Sequence, residues 1–303
     1  MSWRGFADMV KGGGLVLRIA DRLGRGRGRF RWLDRLHHAA PAPLRPDLRR
    51  WEGHELAAVW VGHGTVLLRT GGRTLLIDPV FSRRIGLGAG LLTLGVGRLV
   101  EPALSIGQLP RLDAILITHA HFDHLDCPSL WRLPKDVPVL VAEGNGDLVR
   151  GAGFRDVREM RWEQSEDIGG VRVTAKPVRH WGARVFFDRH RGYCGFLIES
   201  GRRRVFHAGD TAMYEPGAEL RGVDLAVFSI SAYDPYIQAH ATPEQVWQMT
   251  CALRAGALLP VHHSTFILSH EPPGEPLERL LEAAGPESRR IVVRETGGMW
   301  AGT

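Results

Sequence analysis

The stretch Thr118-His119-Ala120-His121-Phe122-Asp123-His124 puts four potential metal ligands within six consecutive residues. Imidazole nitrogen and carboxylate oxygen are the donors that suit zinc in a catalytic site. In a loop, side chains at i and i+2 can point the same way. His119 and His121 can therefore share one cation while Asp123 and His124 turn toward a second. A single structural zinc would need fewer donors. Two cations need more, and the chain supplies candidates further on: His180, Asp210 within His207-Ala208-Gly209-Asp210-Thr211, and His262 within Pro260-Val261-His262-His263-Ser264-Thr265-Phe266. Each stands where an apolar, strand-like stretch gives way to a loop, and rigid strands are what position chemistry-bearing loops. Zinc lowers the pKa of the water it holds to about 7 and stabilises negative charge developing on oxygen. Such a site needs no serine or cysteine nucleophile. No GxSxG occurs, and Cys127 reads as a small buried residue.

Other residues could support that chemistry. Asp78 follows an apolar run and precedes Pro79, as either a turn-forming Asp-Pro or a carboxylate that orients a metal-bound histidine. His63, after Gly62 at a hairpin start, is either an orienting group or a core histidine. His240, two residues before Thr242, is placed to hold substrate or to protonate a leaving group near neutral pH. Trp181 and Tyr233 are either pocket wall or core.

These groups need a scaffold. Leu56–Val61, Thr65–Thr70 and Arg73–Ile77 read as strands, with Gly71-Gly72 as a hairpin turn. Leu112–Ile117, Val137–Val141, Val171–Val178, Tyr193–Glu199, Arg203–Phe206, Leu225–Ile230 and Leu258–Val261 follow, with Ile291–Arg294 as a last strand. Asp147–Arg150 reads as a short helical piece ended by Gly151. Thr242-Pro243-Glu244-Gln245 is a helix start, with Thr as N-cap, Pro at the first position and Gln closing a capping box. That helix is expected to run to Ala255, and another spans Pro276–Ala284. Ile85–Val96 is apolar and glycine-rich without clear periodicity, and reads as a loop. Strands, helix, strands, helix is the order of mixed α/β layers rather than of a doubly wound parallel sheet.

The 303 residues suit one large domain or two fused halves. At 44% apolar and 24% charged, disorder over most of the chain is excluded. Cys127, Cys194 and Cys251 are odd in number and far apart, which rules out a disulfide framework and fits a reducing compartment. Residues 1–50 hold twelve Arg or Lys against four Asp, so the net charge of +6 belongs to a basic N-terminal extension preceding a catalytic domain over 51–303. Such an arm is either a solvated tail or a segment that meets an anionic membrane. Val16–Leu23 and Phe30–His37 within it could form short amphipathic helices, and Pro41, Pro43 and Pro46 make a linker. No apolar run reaches the ~20 residues that span a bilayer, and Gly12–Ala20 lacks the features of a secretory signal. A cytoplasmic protein, peripheral at the inner membrane surface, is the expectation.

The motif His119–His124 resembles the signature of the metallo-β-lactamase superfamily. The resemblance implies a four-layer αββα sandwich with a binuclear site at one edge of the sheets. It implies that His119, His121 and His180 bind one metal, that Asp123, His124 and His262 bind the other, and that Asp210 bridges. His263 remains the alternative to His262. A narrower series runs through Trp60–Thr65, Asp78–Ser82, Thr118–Asp126, His180-Trp181, Ala208–Thr211, Ala232–Pro235, His240 before Pro243-Glu244, and His262 with Thr265-Phe266. It is similar to the N-acylphosphatidylethanolamine-hydrolysing phospholipase D branch and to the ascorbate-phosphate lactonase-like hydrolases, over about residues 58 to 275. The resemblance implies an orienting role for Asp78 and a substrate-side place for His240.

Together these readings give a hydrolase with two zinc ions, iron or manganese being acceptable to the same donors. Asp123, Asp210 and His240 are its catalytic candidates, and Asp78 and His63 its orienting groups. The favoured reaction is phospholipase D-type cleavage of an N-acylphosphatidylethanolamine-like lipid, and the alternative is a soluble hydrolase of a lactone, ester or sugar phosphate. The substrate is accordingly an amphiphile or a small molecule. Nucleic acid is disfavoured, because the positive charge is confined to the arm and no aromatic-basic platform is evident.

Overall fold

The computed structural model describes residues 39–89, 92–185 and 187–302. The helices expected at Val16–Leu23 and Phe30–His37 lie outside the described residues. The strands β1 (Leu56–Gly62), β2 (Thr65–Thr70) and β3 (Arg73–Ile77) form an antiparallel meander. Gly71 and Gly72, with φ of 55° and 73°, make the turn that joins β2 to β3. Both central residues of such a tight turn need positive φ, which glycine adopts without steric penalty.

Two further strands, β4 (Arg84–Ala89) and β5 (Leu92–Gly97), pair antiparallel as a separate ribbon. The expected loop over Ile85–Val96 is thus a β-hairpin. Its glycines hid the strand period: a Cβ at Gly86 would stand 2.3 Å from the Leu94 carbonyl oxygen, and one at Gly95 would stand 1.9 Å from that of Ile85. Close backbone approach, not flexibility, requires them.

β6 (Ala114–Ile117), β7 (Val139–Ala142) and β8 (Val157–Met160) extend the meander in parallel beyond β3, and β15 (Met299–Ala301) closes the other edge against β1. The second sheet comprises β9 (Ser165–Asp167), β10 (Arg172–Lys176), β11 (Gly195–Ser200), β12 (Arg203–His207), β13 (Leu225–Ser229) and β14 (Ala257–Val261). Its order is β14-β13-β12-β11-β10-β9, parallel from β14 to β12 and antiparallel thereafter.

Strand alternation explains the layers. On β1, Leu56, Ala58 and Trp60 enter a core shared with Val173, Phe196, Val205, Val227 and Leu259 of the second sheet. Ala57, Val59 and Val61 face the opposite way and join Leu130 of α1 (Cys127–Arg132) and Val149 of α2 (Gly146–Gly151). The outer face of the second sheet, Phe206, Ala226, Phe228 and Leu258, packs on Val246 and Met249 of α3 (Pro243–Ala252) and Leu280 of α4 (Glu275–Ala284). Three apolar layers separate four layers of structure, αββα, as expected. Strands buried on both faces read as unbroken apolar runs.

The capping box on α3 is present: Gln245 N–H donates to Thr242 Oγ1, and Thr242 N–H donates to Gln245 Oε1 at 3.0 Å. The helix ends at Ala252, short of the expected Ala255. Ile291–Arg294 is not a strand; it forms a single bridge, Ile291 to Leu258. Before β1, Ala40 N–H donates to the Leu99 carbonyl and Leu44 N–H to that of Thr296, so the chain is bound to the body from Ala40 on.

Candidate metal centre

The site lies where strands of both sheets end. β6 runs into the loop carrying His119, His121, Asp123 and His124; β12 is followed by Asp210; β14 is followed by His262. Parallel strands place these ends on one edge. Three residues here hold left-handed backbone despite carrying side chains: His63 (φ 52°), Asp78 (φ 44°) and His262 (φ 70°). Such strain, of order 1–3 kcal/mol each, tends to gather at functional sites and must be sustained by surrounding structure.

The predicted ligands converge. His119 Nε2 lies 3.0 Å from His121 Nδ1, which in turn lies 3.3 Å from His180 Nε2. Asp123 Oδ2 accepts at 3.0 Å from His262 Nε2 and stands 3.7 Å from His124 Nε2. Between these groups sits Asp210. Its Oδ2 has five imidazole nitrogens around it, from His124 (3.2 Å), His262 (3.3 Å), His119 (3.8 Å), His180 (3.9 Å) and His240 (3.9 Å). Its Oδ1 is buried without a hydrogen-bond partner, as are His124 Nε2 and His240 Nδ1. Buried polar groups are nearly always satisfied, so this concentration of unmet donors and acceptors fits cations. Two sets of four, His119–His121–His180–Asp210 and His63–Asp123–His124–His262, each hold their ligand atoms within 4.8 Å of one another and could bind an ion.

Outer hydrogen bonds fix the rings. Asp78 Oδ2 accepts from His124 Nδ1 at 2.7 Å, and the same carboxylate accepts from the Thr118 hydroxyl and amide, each at 2.7 Å. His180 Nδ1 donates to the Ala239 carbonyl at 3.0 Å, leaving Nε2 for the site. This is how outer groups normally hold metal-binding histidines. Asp78 therefore stands where an orienting carboxylate would stand. His63 goes further than its expected orienting place, for its Nε2 reaches Asp123 Oδ2 at 2.9 Å and it belongs to the second set itself. His263 points elsewhere, against Trp60 with ring centroids 4.6 Å apart, while His262 faces the centre.

Charge states follow from burial and neighbours. Burial holds His119 and His121 well below the ordinary imidazole range, and pushes His180 down to about 4 and His240 and His63 to about 3. These rings are neutral at pH 7, as a ligand must be. Burial also acts against the charge of His124 and His262, but the carboxylates overcome it. Asp210, Asp123 and Asp78 hold His124 well above its usual range, and Asp210 with Asp123 raises His262 to about 9.

Trp181 lies with its ring 5.1 Å from that of His121 and flanks the centre. Tyr233 does not: its hydroxyl donates to Glu275, and the Arg279 guanidinium covers its ring. One contributor had no signal in the sequence. Arg184 Nη1 donates to the carbonyls of Ala120 (2.7 Å) and Leu125 (2.6 Å), and its guanidinium lies 4.0 Å from the Phe122 ring centre. It clamps both ends of the histidine loop from a segment sixty residues away.

The chain is similar to several known proteins. An uncharacterised protein of Mycobacterium tuberculosis is 34% identical over 268 residues, covering 84% of this chain and 71% of that one. The N-acyl-phosphatidylethanolamine-hydrolyzing phospholipase D 1 of Caenorhabditis elegans is 27% identical, over 81% of this chain and 75% of its own. Among solved structures, a possible metal-dependent hydrolase of Veillonella parvula superposes with a TM-score of 0.67 at 18% identity, over 82% of this chain and all of that one. The family described as the beta-lactamase superfamily domain matches residues 73–263, a span that runs from β3 to the end of β14 and takes in all seven expected ligands, and the chain belongs to that family of metal-dependent hydrolases.

Proposed function

We propose that the protein is a binuclear zinc hydrolase that cleaves the phosphodiester of an N-acylphosphatidylethanolamine-like lipid in the manner of a phospholipase D. One observation carries the binuclear reading: a single carboxylate oxygen, Asp210 Oδ2, stands between two separate groups of imidazoles. In this reading His119, His121 and His180 hold one cation, Asp123, His124 and His262 hold the other, and Asp210 serves both. His63 is positioned to tune Asp123. Bound zinc would bring the pKa of water toward neutrality and polarise a phosphoryl oxygen.

The chain's own residues do the rest. Asp78 and Thr118 keep His124 in one orientation, and Ala239 does so for His180. His240, neutral at pH 7 and buried beside Asp210, is suited to donate a hydrogen bond to a substrate oxygen rather than to protonate a leaving group. Trp181 stands beside the His121 and His180 rings as one wall of the centre.

The likeness to the worm phospholipase supports the lipid substrate. So does the β4–β5 hairpin, whose paired Leu87 and Leu94 are 49% and 68% exposed while its base packs on Phe266 beside His63. No helix among the described residues is long and apolar enough to cross a membrane. In this reading the protein works in the cytoplasm at the inner membrane surface, and residues 1–50 meet anionic lipid.

The test is to count metals on the purified protein, identifying zinc, iron or manganese, and to assay phospholipid, simple phosphodiester and lactone substrates side by side. Release of phosphatidic acid from the lipid is expected. Turnover of the lactone or a soluble ester alone would move the assignment to a soluble hydrolase. Vesicle sedimentation with and without residues 1–50 tests the membrane contact, and equal binding by both forms would remove it.

A further inference from the structure

A cavity separate from the metal centre lies on the Arg98 side of Phe266. Its volume is about 320 Å³, and its wall includes Arg45, Arg83, Arg98 and Arg132 with one acid, Glu101. Arg98 is the unusual member. It is 1% exposed, and among the described residues no carboxylate makes an ion pair with it, although the buried Asp126 acts on it across space. Its Nε donates to the Ser82 carbonyl at 3.0 Å and its Nη2 to that of Val80 at 2.7 Å, while the guanidinium lies over Phe266 at 4.6 Å. Nη1 has no partner. Gly62 packs closely against it: a Cβ there would stand 3.3 Å from Nη1. Burial pushes its pKa down to about 10, which still leaves the group charged at neutral pH.

A buried cation without a carboxylate in contact is costly, and a structure usually keeps one only where something compensates it. Carbonyl dipoles supply part of that compensation here. Three more guanidiniums around the same space add mutual repulsion that an anion among them would relieve. Glu101 offsets one of the four. Guanidinium forks match the tetrahedral oxygens of phosphate.

From the unpaired Arg98 and the arginine-lined cavity, we infer a phosphate-binding site distinct from the metal centre, which takes the phosphate of a small molecule or of a lipid headgroup. The Phe266 ring, 5.0 Å from His63, separates the two sites and touches both. The inference does not depend on which reaction the metal centre performs.

The test uses the metal-loaded full chain. Inorganic phosphate binding is measured by equilibrium dialysis at low ionic strength, in the wild type and in an Arg45→Ala/Arg83→Ala/Arg132→Ala variant. All three side chains are exposed, so the fold is expected to survive, and a thermal melt checks this. Loss of at least tenfold in affinity for one class of site, with phosphate inhibition of turnover unchanged, supports the cavity. Arg98→Lys should weaken the same class. Phosphatidylcholine vesicles with and without phosphatidic acid then distinguish the source. Displacement of phosphate by the acidic vesicles identifies a headgroup, and no displacement identifies a soluble phosphate. Wild-type phosphate binding by the folded triple variant would overturn the inference.

Discussion

Asp210→Asn removes one charge from the centre while keeping the shape of the side chain. Asp210 Oδ2 lies 3.2 Å from His124 Nε2 and 3.3 Å from His262 Nε2. A cation taken up by those nitrogens in place of their protons would feel the same carboxylate, and unit charges about 3 Å apart attract by about 5 kcal/mol at an effective dielectric of ~20. The amide avoids the desolvation that a buried carboxylate bears, which offsets roughly half of this. A net loss of about 2–3 kcal/mol remains, equivalent to cation binding roughly 30- to 150-fold weaker. The assay is metal content per chain after dialysis against zinc buffers of graded free concentration, read beside turnover. Two ions per wild-type chain and one or fewer per variant chain are expected over a window about two decades wide. Turnover should fall with the lost ion. Metal-free wild type and variant should give the same circular dichroism spectrum, which separates a lost ligand from a lost fold. A variant that holds two ions at wild-type affinity and turns over normally would refute the bridging role.

Further outcomes follow from the same geometry. His124 and His262 have pKa values raised by their carboxylate neighbours, so both carry protons at neutral pH and must give them up to bind metal. Calorimetry in buffers of unlike ionisation enthalpy should therefore show about two protons released per chain near pH 7. The His262 share should disappear as pH rises through about 9; a buffer-independent heat would contradict this. Arg184→Ala should weaken metal binding about 10- to 100-fold, as loss of outer support usually does, with Arg184→Lys recovering part of it; chelator competition reads both. Gly64→Ala would place a methyl 3.0 Å from His124 Cε1, and displacing that ring should cost about 1–3 kcal/mol of stability and lower metal affinity. A melting curve and a zinc titration indistinguishable from wild type would show that the ring has room to yield.

The sequence displayed the central strands well, because runs such as Leu75–Ile77 and Ile115–Ile117 are apolar on both faces and flanked by turns. The capping box announced α3 for a similarly local reason. The misses have physical causes. β8 and β9 carry charged, half-exposed side chains that give no apolar run, and β15 is three residues long. The β4–β5 ribbon uses glycine where backbones approach, which resembles a loop on paper. In the candidate site, the seven expected ligands stand out because each lies beyond an apolar strand, and their side chains converge. His63 was underrated, since a histidine after glycine in a hairpin has many explanations. Arg184 could not be found at all: its effect is carried by hydrogen bonds to carbonyl groups, which leave no pattern in residue types.

The centre draws on the ends of both sheets: β6 belongs to one, and β12 and β14 belong to the other. A cation held there acts as a rivet through the sandwich, so occupancy and cohesion become one quantity. Free metal at a thousand times its dissociation constant would add about 4 kcal/mol of apparent stability. A cell short of the ion would then hold not merely an idle enzyme but a looser one, more exposed to proteolysis, and its abundance would report the metal supply.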